Sequence, residues 1–188
     1  HLGIDVRAVN QDPVPRTLAK FVGDTPFFSP SQLDGDDYTV ITVDCADNKR
    51  VGEELQERFP KVYLNIDHHV SNNNYGDINF VLPDASATGE ILAKLFLDNE
   101  VEIDPVTADA LYLGIATDTG QFCYSGTNAS VFEVCRRLCE YNEDCVAFTV
   151  CDAETCQENN NAYHMNKNSL NSTTYRIYSD GWWGKDSL

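Results

Sequence analysis

The sequence lacks any long apolar run. Hydrophobic residues make up 42% of the 188 positions, yet no stretch approaches the roughly 18 residues that a membrane span requires. It also lacks an initiator methionine and a signal peptide, because the segment from His1 to Asp5 contains neither a basic nor an apolar leader region. These absences predict a soluble globular domain with no membrane partner, whose natural start is lost or processed.

Positive charge is scarce. The chain carries 13 Lys and Arg against 30 Asp and Glu, which gives a formal net charge of −17. Because Lys and Arg on phosphates supply most non-specific affinity for nucleic acid, this composition excludes a protein that coats long duplex nucleic acid. Small phosphorylated substrates remain compatible with it, provided that bound cations reverse the local field.

The seven cysteines are spread unevenly. Cys45 and Cys123 stand far apart, and this sparse usage predicts a cytoplasmic location for the first two thirds of the chain. Five more crowd the last third: Cys135, Cys139, Cys145, Cys151 and Cys156. The first two of these fall on the apolar stripe of a predicted helix, where we expect them to be core residues. The other three suit disulfides only in an oxidising compartment, and no Cys-x-x-Cys pair favours a zinc site.

Residues 1–141 alternate strand-like and helix-like segments. The run Tyr38–Val43 is β-branched and aromatic and predicts a buried strand, and Val62–Ile66 predicts the next strand. Amphipathic spacing and capping residues predict later helices that begin near Ser86, Asp104 and Asn128. This alternation predicts an α/β fold, with a mainly parallel sheet and helices on both faces.

Residues 142–188 differ in character. They contain a polar run of three asparagines, Asn159 to Asn161, and no periodicity of strand or helix persists. We expect an irregular, Cys- and Asn-rich C-terminal tail of unknown fold and role, distinct from the domain at 1–141.

Acidic residues and histidines stand at the ends of successive predicted elements. Asp44 ends the first predicted strand, Asp67, His68 and His69 end the second, and Asp118 ends a helix. Each has an ordinary explanation, since an Asp often forms a turn and a histidine pair can be surface decoration. Open α/β sheets bind ligands outside the carboxyl ends of their strands. Because carboxylates with imidazoles suit Mn²⁺ and related ions, the set together predicts a divalent metal site.

Four segments, in order, resemble the motifs of the DHH phosphoesterases. They are Val43–Asp47, Asn65–Asn72, Ser86–Glu90 and Thr117–Gly120. The resemblance covers about residues 3–141. The sequence around Val9–Pro13 and Tyr75–Asn79 is most similar to the branch of bifunctional oligoribonucleases and PAP phosphatases.

The resemblance implies a role for each matched residue. Asp44 corresponds to a carboxylate that bridges two metal ions, and His68 and Asp118 correspond to further ligands of the second ion. His69 corresponds to the histidine that faces the scissile phosphate. Asp67 corresponds to a residue that binds no metal itself and orients a histidine. The implied cofactor is a pair of Mn²⁺ or Mg²⁺ ions in each complete site, and the implied reaction is hydrolysis of a phosphoester by water.

Ser86 and Thr88 match a segment at a helix N-terminus, together with Gly89. That position suits contact with a substrate phosphate, because helix N-termini offer backbone N–H groups to anions. A plain helix cap is an equally good explanation of the same residues.

The resemblance also implies features for which the sequence has no counterpart. These are the first His-Asp-Asp motif of the family and its C-terminal substrate-binding domain, so we expect a truncated or chimeric gene with impaired turnover. The implied substrates are short oligoribonucleotides or nucleotides of the 3′-phosphoadenosine 5′-phosphate type. Whether the protein forms a homodimer stays an open question. The alternatives are a family II-like inorganic pyrophosphatase and a non-catalytic remnant that binds a nucleotide or a protein.

Overall fold

The computed structural model describes residues 3–16 and 18–142. These residues fall into two compact units, divided between Ile91 and Leu92. The predicted tail at 142–188, with Cys145, Cys151 and Cys156, lies outside the described residues apart from Asn142, and its separation from the domain at 1–141 stays a prediction.

The first unit contains two small parallel sheets. Strand β1 (Ala8–Val9) pairs with β2 (Phe27–Phe28). Strands β3 (Ile41–Val43), β4 (Leu64–Asp67) and β5 (Ile78–Val81) form the second sheet in that order, with both pairs parallel. The parallel sheet of the predicted α/β class is thereby confirmed. Strand β5 was missed, because its alternation runs over only four residues and follows a turn-rich loop.

The two faces of the second sheet differ in polarity. Thr42, Asn65 and Asp67 share one face by register and are buried. The opposite face carries apolar side chains from all three strands: Ile41, Val43, Leu64, Ile66, Ile78 and Phe80. Of these, Ile41 is 55% exposed and Val43 is 50% exposed.

The strand predicted within Tyr38–Val43 is present, but the prediction that it is buried is wrong. The strand spans three residues, and Thr42 is its buried member. An apolar, β-branched run reports strand propensity, but the face that the core covers decides which side chains are buried. In β3 the covered face carries Thr42, the polar residue between Ile41 and Val43.

The first unit contributes a short helix that begins at Glu53, and the three later helices begin close to the predicted starts. The helices are α1 (Glu53–Arg58), α2 (Thr88–Asp98), α3 (Pro105–Asp118) and α4 (Ala129–Cys139). Short 3-10 turns cover Ala19–Phe21, Pro30–Gln32 and Asn48–Val51. Within the described part of the chain, no helix has the length and apolar character needed to cross a membrane.

Helix α4 buries the stripe that its spacing predicts. Val131, Val134, Cys135 and Leu138 are at most 4% exposed, so Cys135 is a core residue as expected. Cys139 ends the helix and is half-buried, which places it at the margin of that core. Along α2, Ile91 is buried whereas Leu95 is 40% exposed.

Asp104 caps α3 and supplies a test of the fold. Its carboxylate accepts a hydrogen bond from the Thr107 N–H at 2.7 Å. We expect Asp104→Ala to lower the free energy of unfolding at pH 7 by about 1 kcal/mol in urea titrations, because the N–H loses its partner. The control Asp104→Asn keeps a capping oxygen and should lose less. Equal losses in the two variants would argue against the cap.

The same residue predicts a pH dependence. The backbone hydrogen bond from Thr107 holds the pKa of the Asp104 carboxyl below its usual value of 3.8. The stability contributed by the charge is therefore complete above 3.8 and is lost as pH falls through the lower, folded-state pKa. Urea titrations should show the wild type and Asp104→Asn converging in that acidic window, and a constant difference between them would contradict the assignment.

Candidate metal centre

The pairing of β3 with β4 brings two carboxylates to one edge of the sheet. Val43 lies opposite Ile66, and the Asp44 N–H continues the ladder by donating to the Ile66 carbonyl at 3.0 Å. Asp67 is the last residue of β4. Asp44 has a φ of 56°, a left-handed conformation that aspartate tolerates better than most residues. The strand end and this backbone turn set the position of its side chain.

Three side chains meet at this edge in an arrangement that could hold a metal ion. Asp44, His68 and His69 each offer one ligand atom, and these atoms lie within 4.8 Å of one another. The His68 Nε2 is 3.6 Å from the Asp44 Oδ1, and the His69 Nδ1 is 3.9 Å from the same oxygen. All three predicted residues are therefore brought together in the first unit.

The donor set fits a divalent cation. The His68 Nδ1 lies 3.2 Å from the Ala85 carbonyl, which can only accept, so this nitrogen carries the hydrogen. The lone pair is then on Nε2, the nitrogen that lies near Asp44. Metal-ligating histidines commonly donate their second N–H to a carbonyl in this way. Imidazole with carboxylate is also a suitable ligand set for Mn²⁺ and related ions.

Asp67 lies beneath these residues and is fully buried. Its Oδ1 accepts from the His68 N–H at 2.8 Å and lies 2.7 Å from the His69 Nδ1, while its Oδ2 accepts from the Asn72 amide at 2.5 Å. Burial would raise the pKa of Asp67, but the hydrogen bonds from His69, Asn72 and the local backbone outweigh it and hold the pKa below its usual value. Asp67 is thus an ionised carboxylate that fixes the His69 ring.

Thr88 and Ser86 occupy the start of α2. Thr88 is 3% exposed, and its hydroxyl donates to the Asp44 Oδ1 at 2.8 Å. The Ser86 N–H donates to the Glu90 carboxylate at 2.9 Å, in the manner of a capping interaction. Thr88 therefore touches the carboxylate of the candidate metal centre, and the predicted contact of both residues with a substrate phosphate stays a prediction.

Asp118 belongs to the second unit. It is the last residue of α3, as its position in the sequence predicts. The group of three ligand atoms in the first unit does not include it. Its role as a metal ligand stays a prediction.

A buried polar network behind the centre was not predicted. It consists of side chains from β3, β4 and the following loop: Thr42, Asn65, Asn72 and Tyr75. Asn65 is fully buried. An asparagine inside an otherwise apolar strand was the signal that could have revealed this network, because a buried amide requires several partners.

Comparisons with known proteins identify the family. The model of the DHH family, N-terminal domain, matches residues 6–115. A probable bifunctional oligoribonuclease and PAP phosphatase NrnA of Streptococcus mutans is 34% identical over 119 residues, which is 62% of this chain and 37% of that protein. The corresponding Bacillus subtilis protein is 28% identical over 61% of this chain and 38% of its own length. The chain thus spans less than two fifths of either relative.

Solved structures with low sequence identity share the fold. An exopolyphosphatase-related protein of Bacteroides fragilis superposes with a TM-score of 0.63 at 20% identity, over 72% of this chain and 43% of that one. A putative family II inorganic pyrophosphatase of Methanococcus jannaschii gives a TM-score of 0.52 at 21% identity, over 66% and 42%. Both comparisons support the α/β architecture.

Metal binding tests the centre directly. We expect Asp44→Asn to weaken Mn²⁺ binding in titration calorimetry by at least about tenfold, because the charged oxygen is lost. Asp77→Asn is the matched control, since it removes the same charge from an exposed position, and it should bind Mn²⁺ like the wild type. Equal affinity in Asp44→Asn and Asp77→Asn would show that Asp44 is no ligand.

Proposed function

Because the chain belongs to the DHH family, we propose that it is a metal-dependent phosphoesterase that hydrolyses short oligoribonucleotides or nucleotides of the 3′-phosphoadenosine 5′-phosphate type. The observation that carries this proposal is the grouping of Asp44, His68 and His69 within 4.8 Å at the carboxyl edge of a parallel sheet. Such an edge is where open α/β sheets bind their ligands.

Asp44, His68 and Asp118 are the proposed metal ligands. Two divalent ions in a complete site, Mn²⁺ or Mg²⁺, would polarise the phosphoryl oxygens and lower the pKa of water. Thr88 holds the Asp44 carboxylate through a hydrogen bond of 2.8 Å. His68 is held by the Ala85 carbonyl, so its ligand nitrogen is set before any ion arrives. The chain thereby fixes two of the proposed ligands through its own contacts.

His69 is the proposed residue that faces the scissile phosphate. Its Nδ1–H points to the buried Asp67 carboxylate at 2.7 Å, which leaves Nε2 for the substrate. A protonated imidazole in this position donates a hydrogen bond and places positive charge near the phosphoryl oxygens, where negative charge develops.

Short, phosphorylated nucleotides are the proposed substrates for two reasons. The curated relatives are named as oligoribonucleases and PAP phosphatases. The net charge of −17 opposes long polyanions, whereas a small substrate can be held by local cations. We propose that Ser86 and Thr88, at the start of α2, lie beside the substrate phosphate.

Turnover of a defined substrate tests the proposal. We expect slow hydrolysis of a 5′-phosphorylated diadenylate or of 3′-phosphoadenosine 5′-phosphate with Mn²⁺, in keeping with the impaired turnover predicted from the sequence, and chromatography measures it. His69→Ala should lower kcat by about 10²- to 10³-fold and leave Mn²⁺ affinity near that of the wild type. His68→Ala is the comparison, because a lost ligand should reduce affinity and turnover together.

Other results would replace the proposal. Hydrolysis of inorganic pyrophosphate in preference to either nucleotide would assign a pyrophosphatase. Nucleotide binding with no hydrolysis of any of the three compounds would assign a non-catalytic binding protein. Parallel losses of Mn²⁺ affinity and kcat in His69→Ala would contradict the role given to His69.

A further inference from the structure

We propose that Asn72 is a positioning residue, which acts through Asp67 to hold the His69 imidazole in one tautomer and orientation. This inference rests on the proposed function, because the consequence for turnover requires His69 to face the substrate. Asn72 follows the histidine pair by three residues, on the loop after β4. It does not belong to the proposed metal ligands.

The hydrogen-bond chain runs from Asn72 to the reacting edge in two steps. The Asn72 amide donates to the Asp67 Oδ2 at 2.5 Å, and the other oxygen of that carboxylate lies 2.7 Å from the His69 Nδ1. Both contacts are therefore direct, and the Asp67 carboxylate is held between Asn72 and His69. With both oxygens engaged, the Asp67 carboxylate cannot rotate without breaking one of them.

The direction of each hydrogen bond is set by groups that only accept. The second hydrogen of the Asn72 amide goes to the Asn65 Oδ1 at 2.7 Å, and the Asn65 amide in turn reaches the Cys45 carbonyl at 3.2 Å. An ionised carboxylate and a carbonyl have no hydrogen to give. Reversing the Asn72 amide would place its oxygen against the Asp67 Oδ2, and two acceptors cannot form a hydrogen bond. Only the observed orientation of the amide lets it donate to both Asp67 and Asn65.

The acceptor side of Asn72 is also engaged. Its Oδ1 accepts from the Asn74 N–H at 2.7 Å, which closes a side-chain turn within the loop. The Asn72 N–H donates to the His69 carbonyl at 3.0 Å. The loop therefore presents the amide to Asp67 in one geometry, and a shorter polar side chain could keep the turn while losing contact with Asp67.

Asn72→Ser is the variant that this geometry recommends. A serine hydroxyl can still accept from the Asn74 N–H, but it is too short to reach the Asp67 carboxylate. The matched control is Asn73→Ala, a change at the neighbouring, exposed asparagine. Should Asn72→Ser fail to fold, Asn72→Asp is the second variant, since it keeps the shape and the turn but turns an acceptor towards Asp67.

The first measurement is the tautomer of His69 in the metal-free protein, by long-range ¹H–¹⁵N correlation spectra. We expect the wild type and Asn73→Ala to show the hydrogen on Nδ1, and Asn72→Ser to show a mixture of tautomers. An unchanged tautomer in Asn72→Ser overturns the proposal. Because no turnover is involved, this result decides the positioning role even if the wild type hydrolyses no phosphoester and the proposed function fails.

The second measurement separates positioning from general support of the site. With Mn²⁺ and the diadenylate, Asn72→Ser should lower kcat roughly ten- to a hundredfold, with KM and Mn²⁺ affinity close to those of Asn73→Ala. In the Asp67→Asn variant, adding Asn72→Ser should lower kcat no further, because the hydrogen bonds that link Asn72 to His69 through the Asp67 carboxylate are already disrupted. Additive losses, or equal losses of Mn²⁺ affinity and kcat, would overturn the proposal while the phosphoesterase function stands.

Discussion

The parallel pairing of β3 with β4 is the constraint on which the candidate metal centre depends. It places Val43 opposite Ile66 and lets the Asp44 N–H extend the ladder, so that Asp44 and Asp67 leave the sheet at one edge. A shift of the pairing by one residue would turn the polar side chains to the opposite face. Thr42 and Asn65, opposite each other in this register, are joined by a hydrogen bond of 3.0 Å that favours the observed pairing.

The second requirement is electrostatic. A carboxylate without solvent exposure is costly unless donors surround it, and Asp67 receives the His68 N–H, the His69 ring and the Asn72 amide. These donors keep it ionised, and the charge in turn orients His69. Thr88 donates to the Asp44 carboxylate, and the Ala85 carbonyl lies 3.2 Å from the His68 Nδ1. Buried hydrogen-bond partners thus fix the positions of the more exposed side chains of the centre.

The sequence predicted those parts that depend on local signals. Asp104 and Asn128 marked helix starts because capping is a short-range interaction, and Asp44, His68 and His69 stood out because strand ends converge. Burial of Tyr38–Val43 was mispredicted, since it depends on which sheet face is covered. The Asn72 amide and the Thr88 hydroxyl could not be assigned partners, because their hydrogen bonds reach Asp67 and Asp44 across the fold.

The most direct test of the account is the location of the metal ion itself. A crystal grown with Mn²⁺ and measured at the manganese absorption edge should show an anomalous peak within direct coordination distance of an Asp44 carboxylate oxygen and of the His68 Nε2. The His69 Nδ1 should remain on Asp67 in that crystal. A peak elsewhere, or none near Asp44 at saturating Mn²⁺, would contradict the assignment of this edge as a metal centre.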